Sequence, residues 1–203
     1  MTLSKRLFDI ALVLILGSIL VIPTLLIILW LLLSAGRPVF YLSERMRTPN
    51  RAFRLWKFRT MTVARDDSGV SGGDKSRRIT PAGRFLRRTR LDEAPQLWNV
   101  LKGDMSFVGP RPPLRTYVER FPKTYAKVLR SRPGLTGLAT LHFRRHEERL
   151  LANCKTTEET DAVYTRACVP RKARLDLIYQ KRRTLCFDAK IIWQTLAQVL
   201  FRR

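Results

Sequence analysis

IALVLILGSILVIPTLLIILWLLL, residues Ile10 to Leu33, carries no charged side chain. As a helix rising 1.5 Å per residue it is long enough to cross the roughly 30 Å hydrocarbon core of a bilayer. A cleaved signal peptide is the competing reading, because Ser34, Ala35 and Gly36 are small. The apolar run, however, exceeds the usual h-region of about 7 to 15 residues. The stretch is read as a permanent membrane segment, and it divides the chain into a membrane-embedded part, 1–36, and a remainder, 37–203, that must fold beside it.

Two topologies fit this segment. Lys5 and Arg6 precede it, and Arg37, Arg45 and Arg47 follow it, so positive charge flanks both ends. The positive-inside rule then draws both ends to the cytoplasmic face. Pro23 lies near the middle, where its missing N–H and its clash with the carbonyl four residues earlier favour a kink. A re-entrant hairpin satisfies both facts, while a spanning helix with a tolerated proline is the alternative. Lys5, Arg6 and Pro23 are the expected membrane and lipid contacts.

Beyond the segment, 203 residues allow one catalytic domain with a real core. Lys and Arg number 39 against 16 Asp and Glu, a formal charge of +23. Such a surface attracts acidic headgroups, nucleotide phosphates or nucleic acid. The three cysteines, Cys154, Cys168 and Cys186, are an odd count late in the chain, which suits a reduced cytosolic domain better than a disulfide framework.

The pattern predicts strands at Pro38 to Leu42 and Ala52 to Phe58, separated by the turn formers Thr48, Pro49 and Asn50. Residues 64–78, polar and rich in glycine, read as a mobile loop over a ligand or a solvated linker. Helices are predicted from Thr80 or Pro81 through Leu91, from Glu93 or Ala94 to Leu101, over Tyr117 to Leu129, and over Glu147 to Leu151. GDMSFVGPRPP reads as a loop, and Arg132 to Gly137 as a rigid turn. In the tail, Ile191, Ile192, Leu196, Val199 and Leu200 share a helical face, with Lys190, Arg202 and Arg203 beside it. That face suits either the membrane interface or the domain core. The fold class expected is α+β and mostly helical: a membrane helix joined to a small domain with one short β-hairpin and interfacial amphipathic helices.

The chemistry concentrates in GRFLRRTRLDEAPQLWNVLKGDMSFVGPRPP, Gly83 to Pro113. Arg84, Arg87, Arg88 and Arg90 crowd the adjacent acids Asp92 and Glu93. Planar guanidinium forks suit a diphosphate, while a carboxylate holds a divalent metal or attacks phosphorus. The bland alternative is a basic surface helix followed by a helix that begins with acids because its N-terminal dipole favours them. The GPRPP turn adds Arg111, held at low entropic cost by flanking prolines, as a preformed anion site requires.

Taken in order, the motifs resemble the bacterial sugar transferase family, the small monotopic phosphoglycosyl transferases that begin glycan assembly on membranes. They are KRLFDIAL at Lys5 to Leu12, the proline-bearing apolar segment, WKFRTM at Trp56 to Met61, and RRTRLDEAPQLWNVLKGDMSFVGPRPP. RPGLTGLA at Arg132 to Ala139, PRKARLDLIYQ from Pro170, and the Asp188 tail complete the series. The resemblance implies a two-step transfer of a sugar 1-phosphate from a UDP-sugar to polyprenyl phosphate, with release of UMP. Asp92 occupies the position of the nucleophile that carries the sugar phosphate between steps and touches Mg2+, and Glu93 assists the metal or proton handling. Arg84, Arg87, Arg88, Arg111, Lys57 and Arg59 are the implied substrate contacts. The expected partners are UDP-sugar, polyprenyl phosphate and membrane lipids, without nucleic acid, and a homodimer is allowed. The implied location is the cytoplasmic face of a bacterial inner membrane, at the start of exopolysaccharide, capsule, O-antigen or glycoprotein glycan assembly.

Two departures from the family pattern stand out. Ile22 precedes Pro23 where a serine is common, leaving Ser18 or Thr24 to satisfy the freed backbone groups. TLHFRRHEERLLANC brings in His142 and His146, the only histidines, which with Cys154 and Cys168 are a candidate structural zinc set. Ordinary buried thiols are the other reading of those cysteines. Two other functions compete with the transferase: a non-catalytic basic protein that binds nucleic acid or anionic lipid by counterion release, and an inactive family member serving as a scaffold. A binder of phosphate backbones gains nothing from the acids Asp92 and Glu93.

Overall fold

The computed structural model describes residues 1–63, 70 and 72–201. Positions 64–69 and 71 of the polar stretch, the Leu200 side chain, Arg202 and Arg203 lie outside the described residues. Helix α1, Leu3–Ala35, opens at Thr2, whose hydroxyl accepts from the Lys5 N–H, and ends at Gly36, whose φ of 67° is left-handed and suits glycine. The helix is continuous through Pro23. Ser18 donates to the Ile15 carbonyl, not to the Ile19 carbonyl that Pro23 leaves without its usual donor.

Strands β1, Phe40–Thr48, and β2, Arg51–Phe58, form an antiparallel hairpin with Phe40 opposite Phe58 and Arg45 opposite Phe53. The first strand runs further than its apolar start suggested, because backbone pairing with β2 carries it through the charged Glu44, Arg45 and Arg47. Helix α2, Pro81–Thr89, is capped by the Thr80 hydroxyl on Gly83 N (3.0 Å) and stops at Arg90, which adopts φ 63°. A single 3-10 turn, Leu91–Glu93, links it to α3, Gln96–Lys102. The Asn99 amide, fully buried, ties α3 to the hairpin: its oxygen accepts from Trp56 N (3.0 Å) and its nitrogen donates to the Arg54 carbonyl (2.8 Å).

Several expectations need correction. GDMSFVGPRPP and the Arg132 to Gly137 turn are not simply loops. Each supplies a strand, β3, Ser106–Val108, and β4, Gly134–Thr136, and the two pair in parallel. Isolated three-residue strands leave no periodic signal, and only the contact between distant turns creates them. The predicted Tyr117 to Leu129 helix is two, α4, Arg115–Arg120, and α5, Pro122–Val128, broken where Pro122 must start a new one. The short helix at Glu147 to Leu151 is the end of a longer one, α6, Leu138–Ala152. Within the polar stretch, Gly73–Arg78 forms a 3-10 turn with Lys75 buried, so this part is neither linker nor open loop.

The remainder is helical: α7, Thr157–Val163, a π-helical turn at Tyr164–Cys168, α8, Val169–Arg182, and α9, Leu185–Leu200. Three apolar clusters hold these parts together. Tyr117, Val128, Phe143, Tyr164 and Ala173 form one beneath β1. Val13 of α1 joins Phe53, Leu55, Val100, Met105, Phe107 and Ile191 in the second. Ile27 and Leu31 of α1 join Phe58, Ala82 and Leu86 in the third. The chain is therefore mostly helical, with a small antiparallel sheet and one long apolar N-terminal helix. Tail residue Ile191 is fully buried, whereas Leu196 and Trp193 are exposed, so α9 serves the core with one face and leaves the other bare.

Candidate active site

Asp92 and Glu93 project from the turn between α2 and α3, and both are buried, at 7% exposure each. Their surroundings differ sharply. Glu93 Oε1 accepts from Arg111 Nη2 at 2.7 Å and lies 3.4 Å from Lys57 Nζ, while its Oε2 accepts from Arg90 Nη1 at 3.1 Å. These cations hold the Glu93 carboxyl far below its ordinary value despite its burial. The Asp92 carboxylate takes no hydrogen bond and no ion pair among the described residues. Burial, and then the charge of Glu93, raise it above the ordinary aspartate value, against the pull of Lys57, Arg111 and Arg87.

Each cation reaches the dyad by a different route. Lys57 comes from β2, which Asn99 fastens to α3, and burial lowers its ammonium to about 8. Arg111 comes from the GPRPP turn. There Ser106 N donates to the Pro133 carbonyl (2.8 Å), Gly109 N to the Thr136 carbonyl (2.9 Å) and Gly134 N to the Pro110 carbonyl (2.8 Å). The two turns approach so closely that a Cβ on Gly109 would lie 2.1 Å from the Arg132 carbonyl oxygen. Two distant glycine turns locked backbone to backbone thus aim one arginine.

Other expected contacts lie elsewhere. Arg87 Nε donates to Thr60 Oγ1 (3.0 Å) and sits within the electrostatic reach of Asp92. Arg84 and Arg88 stand on the exposed face of α2. Arg59 spends its guanidinium on the last carbonyls of α1, those of Ala35, Gly36 (2.9 Å) and Arg37 (3.2 Å), because a helix end leaves carbonyls without partners. Lys5 and Arg6, expected at lipid headgroups, turn inward. Lys5 Nζ lies 2.7 Å from Asp188 Oδ2 and 3.6 Å from Asp9 Oδ1, and Arg6 donates to the Val100 (2.6 Å) and Leu101 carbonyls at the end of α3.

The histidines and cysteines do not assemble a zinc site. No group of three or more His, Cys, Asp or Glu suited to a metal exists among the described residues. His142 is exposed, His146 Nε2 accepts from Arg171 (3.0 Å), and the Cys154 thiol donates to the Leu150 carbonyl (3.7 Å). Cys168 is wholly buried in the apolar cluster.

Sequence reasoning missed Arg45. It extends from β1 toward Arg111, and its Nε has no partner among the described residues. Burial, and then the charge of Arg111, lower it to about 10. Alternation along the hairpin carried the signal: Tyr41 faces Lys57 in register, so Ser43 and Arg45 continue the Lys57 face. With Lys57, Arg90 and Arg111 it surrounds two carboxylates with a surplus of positive charge. The arrangement can bind a compact polyanion and offers one unengaged carboxylate to it.

A family model described as bacterial sugar transferase matches residues 1–202. The chain belongs to that family. An uncharacterized sugar transferase, EpsL, of Bacillus subtilis is 35% identical over 97% of this chain and 87% of its own length. A UDP-glucose:undecaprenyl-phosphate glucose-1-phosphate transferase of Klebsiella pneumoniae is 38% identical over 80% of this chain. An undecaprenyl-phosphate galactose phosphotransferase of Salmonella typhimurium is 34% identical over 98% of it. The chain spans 36% and 40% of the lengths of these last two.

Proposed function

We propose that this protein transfers a sugar 1-phosphate from a UDP-sugar to polyprenyl phosphate at a membrane surface, through a sugar phosphate held covalently on Asp92. The observation that carries the reading is the contrast within the dyad: Glu93 is engaged by three cations, while Asp92 is buried and unengaged in the same positive field. In the first half-reaction an Asp92 carboxylate oxygen attacks the β-phosphorus, the bond from that phosphorus to the bridging oxygen breaks, and UMP leaves with the oxygen. In the second, a phosphate oxygen of the lipid attacks the same phosphorus and Asp92 departs as a free carboxylate. Arg111 and Lys57 stabilise the charge that builds on the diphosphate, and Glu93 keeps both oriented. Arg87 and Arg45 extend the field that lets an anion approach a carboxylate.

An unpartnered buried carboxylate suits Mg2+, which binds through one or two carboxylates together with waters and substrate phosphates. Asp92 is the residue that would touch it, and the ion when bound would neutralise diphosphate charge.

The membrane arrangement that fits this chemistry is re-entrant. What supports it is that both ends of α1 are fastened to one body: Lys5 and Arg6 to Asp188 and α3, Ala35 and Gly36 to Arg59. A helix with its ends on opposite sides of a bilayer has no such option. Between the ties, Leu14, Ile15, Ile19, Ile22, Leu25 and Leu26 are exposed, in position for lipid. Phe85, Trp98 and Trp193 add exposed aromatic surface. The dyad then faces the cytoplasm, where UDP-sugars are.

The decisive experiment mixes the membrane-reconstituted protein with a panel of UDP-sugars and no lipid acceptor. A burst of UMP and one added sugar-phosphate mass are expected, both absent from Asp92→Asn. UMP release only when polyprenyl phosphate is present, with no adduct after rapid quench, makes the transfer direct and Asp92 a ligand or base. Ionised Asp92 is the attacking form, so the burst rate is expected to fall on acidification at a pH above the ordinary aspartate value of about 4.

A further inference from the structure

A second basic concavity lies beside the dyad, between the end of α2, α6 and α9. Arg88, Arg90, Arg144 and Arg145 wall it, with Leu141 and Val199 supplying apolar lining. Among the described lining residues the acid is Glu148, bound to Arg144 Nε at 2.7 Å. We infer that this groove holds the phosphate of the lipid acceptor, an assignment that rests on the transferase reading above.

Three observations converge on it. First, Arg90 belongs to both places: Nη1 pairs with Glu93 at 3.1 Å, while Nε, shut off from solvent, has no partner among the described residues. An anion in the groove therefore sits one side chain from the dyad. Arg90 ends α2 in a left-handed conformation, φ 63°, which is uncommon for a non-glycine residue. Second, the Arg144 guanidinium is close enough to Arg90 to add to the burial that disfavours the Arg90 charge, and a phosphate between the two relieves that repulsion. Third, the wall is apolar where it meets α9. Val199 is the i+3 neighbour of Leu196, which is exposed along with Trp193 on the same helix. Leu12 and Leu16 of α1 pack in one cluster with Ile191 and Ile192 of α9, so this bare face adjoins the membrane helix. An isoprenoid chain needs such a path and a nucleotide does not. The nucleotide then has the Lys57 and Arg111 side of the dyad, and the lipid phosphate reaches from the groove to place its attacking oxygen in the in-line position that UMP vacates, as a ping-pong exchange requires.

The test is the double variant Arg144→Gln, Arg145→Gln in the full-length protein, reconstituted in neutral phosphatidylcholine. Its apparent KM for polyprenyl phosphate is expected to rise by about tenfold, as loss of two partly exposed charge-assisted contacts implies. Its UMP burst with donor alone should match wild type. An unchanged acceptor KM overturns the inference. So does an equal loss of the donor-only burst, which assigns the groove to the nucleotide, or a defect seen only with anionic phosphatidylglycerol, which assigns it to bulk headgroups. If wild type itself releases no UMP from any donor, the transferase reading fails. Tryptophan quenching then still decides the groove: wild type is expected to bind polyprenyl phosphate over uncharged polyprenol, and the variant to lose that preference.

Discussion

The molecule holds two buried clusters of acids and bases, and they are balanced in opposite ways. At the N-terminus of α1, Lys5 sits between Asp9 and Asp188, both essentially inaccessible, and the Tyr179 hydroxyl is placed between Asp188 Oδ1 (2.7 Å) and the Val108 carbonyl (3.1 Å). Asp9 Oδ1 also accepts from Phe107 N (3.3 Å). Acids outnumber the one cation, and nearly every donor is consumed internally. At the dyad, Lys57, Arg45, Arg90 and Arg111 outnumber Asp92 and Glu93, and the Asp92 carboxylate is unengaged. The first cluster fastens a helix and leaves one buried acceptor, Asp9 Oδ2, without a partner among the described residues. The second carries a surplus of positive charge among the described residues, which an anionic substrate of the proposed reaction would balance.

The sharpest way to break this contrast is to neutralise one acid in each cluster. Asp92→Asn is expected to lower UMP release by roughly 10³-fold or more, with a melting temperature equal to or above wild type, since a carboxyl whose ionisation burial opposes becomes a neutral amide. Asp188→Asn should do the reverse: denaturant titration loses roughly 2–4 kcal/mol as Lys5 forfeits its closest partner, while turnover per folded molecule stays within about twofold. If Asp188→Asn instead kills turnover without loss of stability, the N-terminal cluster belongs to the chemistry and the contrast is wrong.

Arg111→Lys asks whether the surplus charge acts by amount or by geometry. Charge is kept and the fork is lost, and kcat/KM is expected to fall about 10- to 100-fold. Wild-type kinetics would make the GPRPP turn purely structural, and the phosphate site would have to be rebuilt around Lys57 and Arg87.

The smallest effect comes from Asp176, an intermediate case with one orphaned oxygen and Lys172 as its cationic neighbour. Burial pushes its carboxyl up to about 7. The folded pKa lies above the unfolded one, so this residue's contribution to stability is complete below about pH 4 and is lost as pH rises through 7. Asp176→Asn should match wild type near pH 4 and exceed it at pH 8, by about 2 kcal/mol in urea titrations. Parallel stability curves for the two proteins would show that Asp176 is ionised in the fold.

Much of the site was legible because its signals are local. Asp92 and Glu93 are adjacent, the arginines precede them within two helical turns, and Arg111 lies in a turn stiffened by prolines that fix its backbone. Lys57 and Arg59 were equally visible in WKFRTM, yet they point to opposite fates, one to Glu93 and the other to the end of α1. Arg59 lies just past the last residue of β2, so the strand pairing that aims Lys57 does not aim it, and it turns to the carbonyls at the end of α1. The inward turn of Lys5 and Arg6 was illegible for a related reason, since their partners lie about 180 and 95 residues away.

The sequence by itself determined what is set by composition over short distances: a long uncharged helix, a β-hairpin around Pro49 and Asn50, a mostly helical body, and a basic surface holding one acidic dyad. Tertiary structure alone decided that Ser106–Val108, just before GPRPP, and Gly134–Thr136 form one parallel ladder, that Glu93 is the engaged acid and Asp92 the unengaged one, and that both ends of α1 belong to one body. Each of those outcomes depends on which distant groups meet and on how far burial weakens solvent screening, and neither is encoded in the spacing of neighbouring residues.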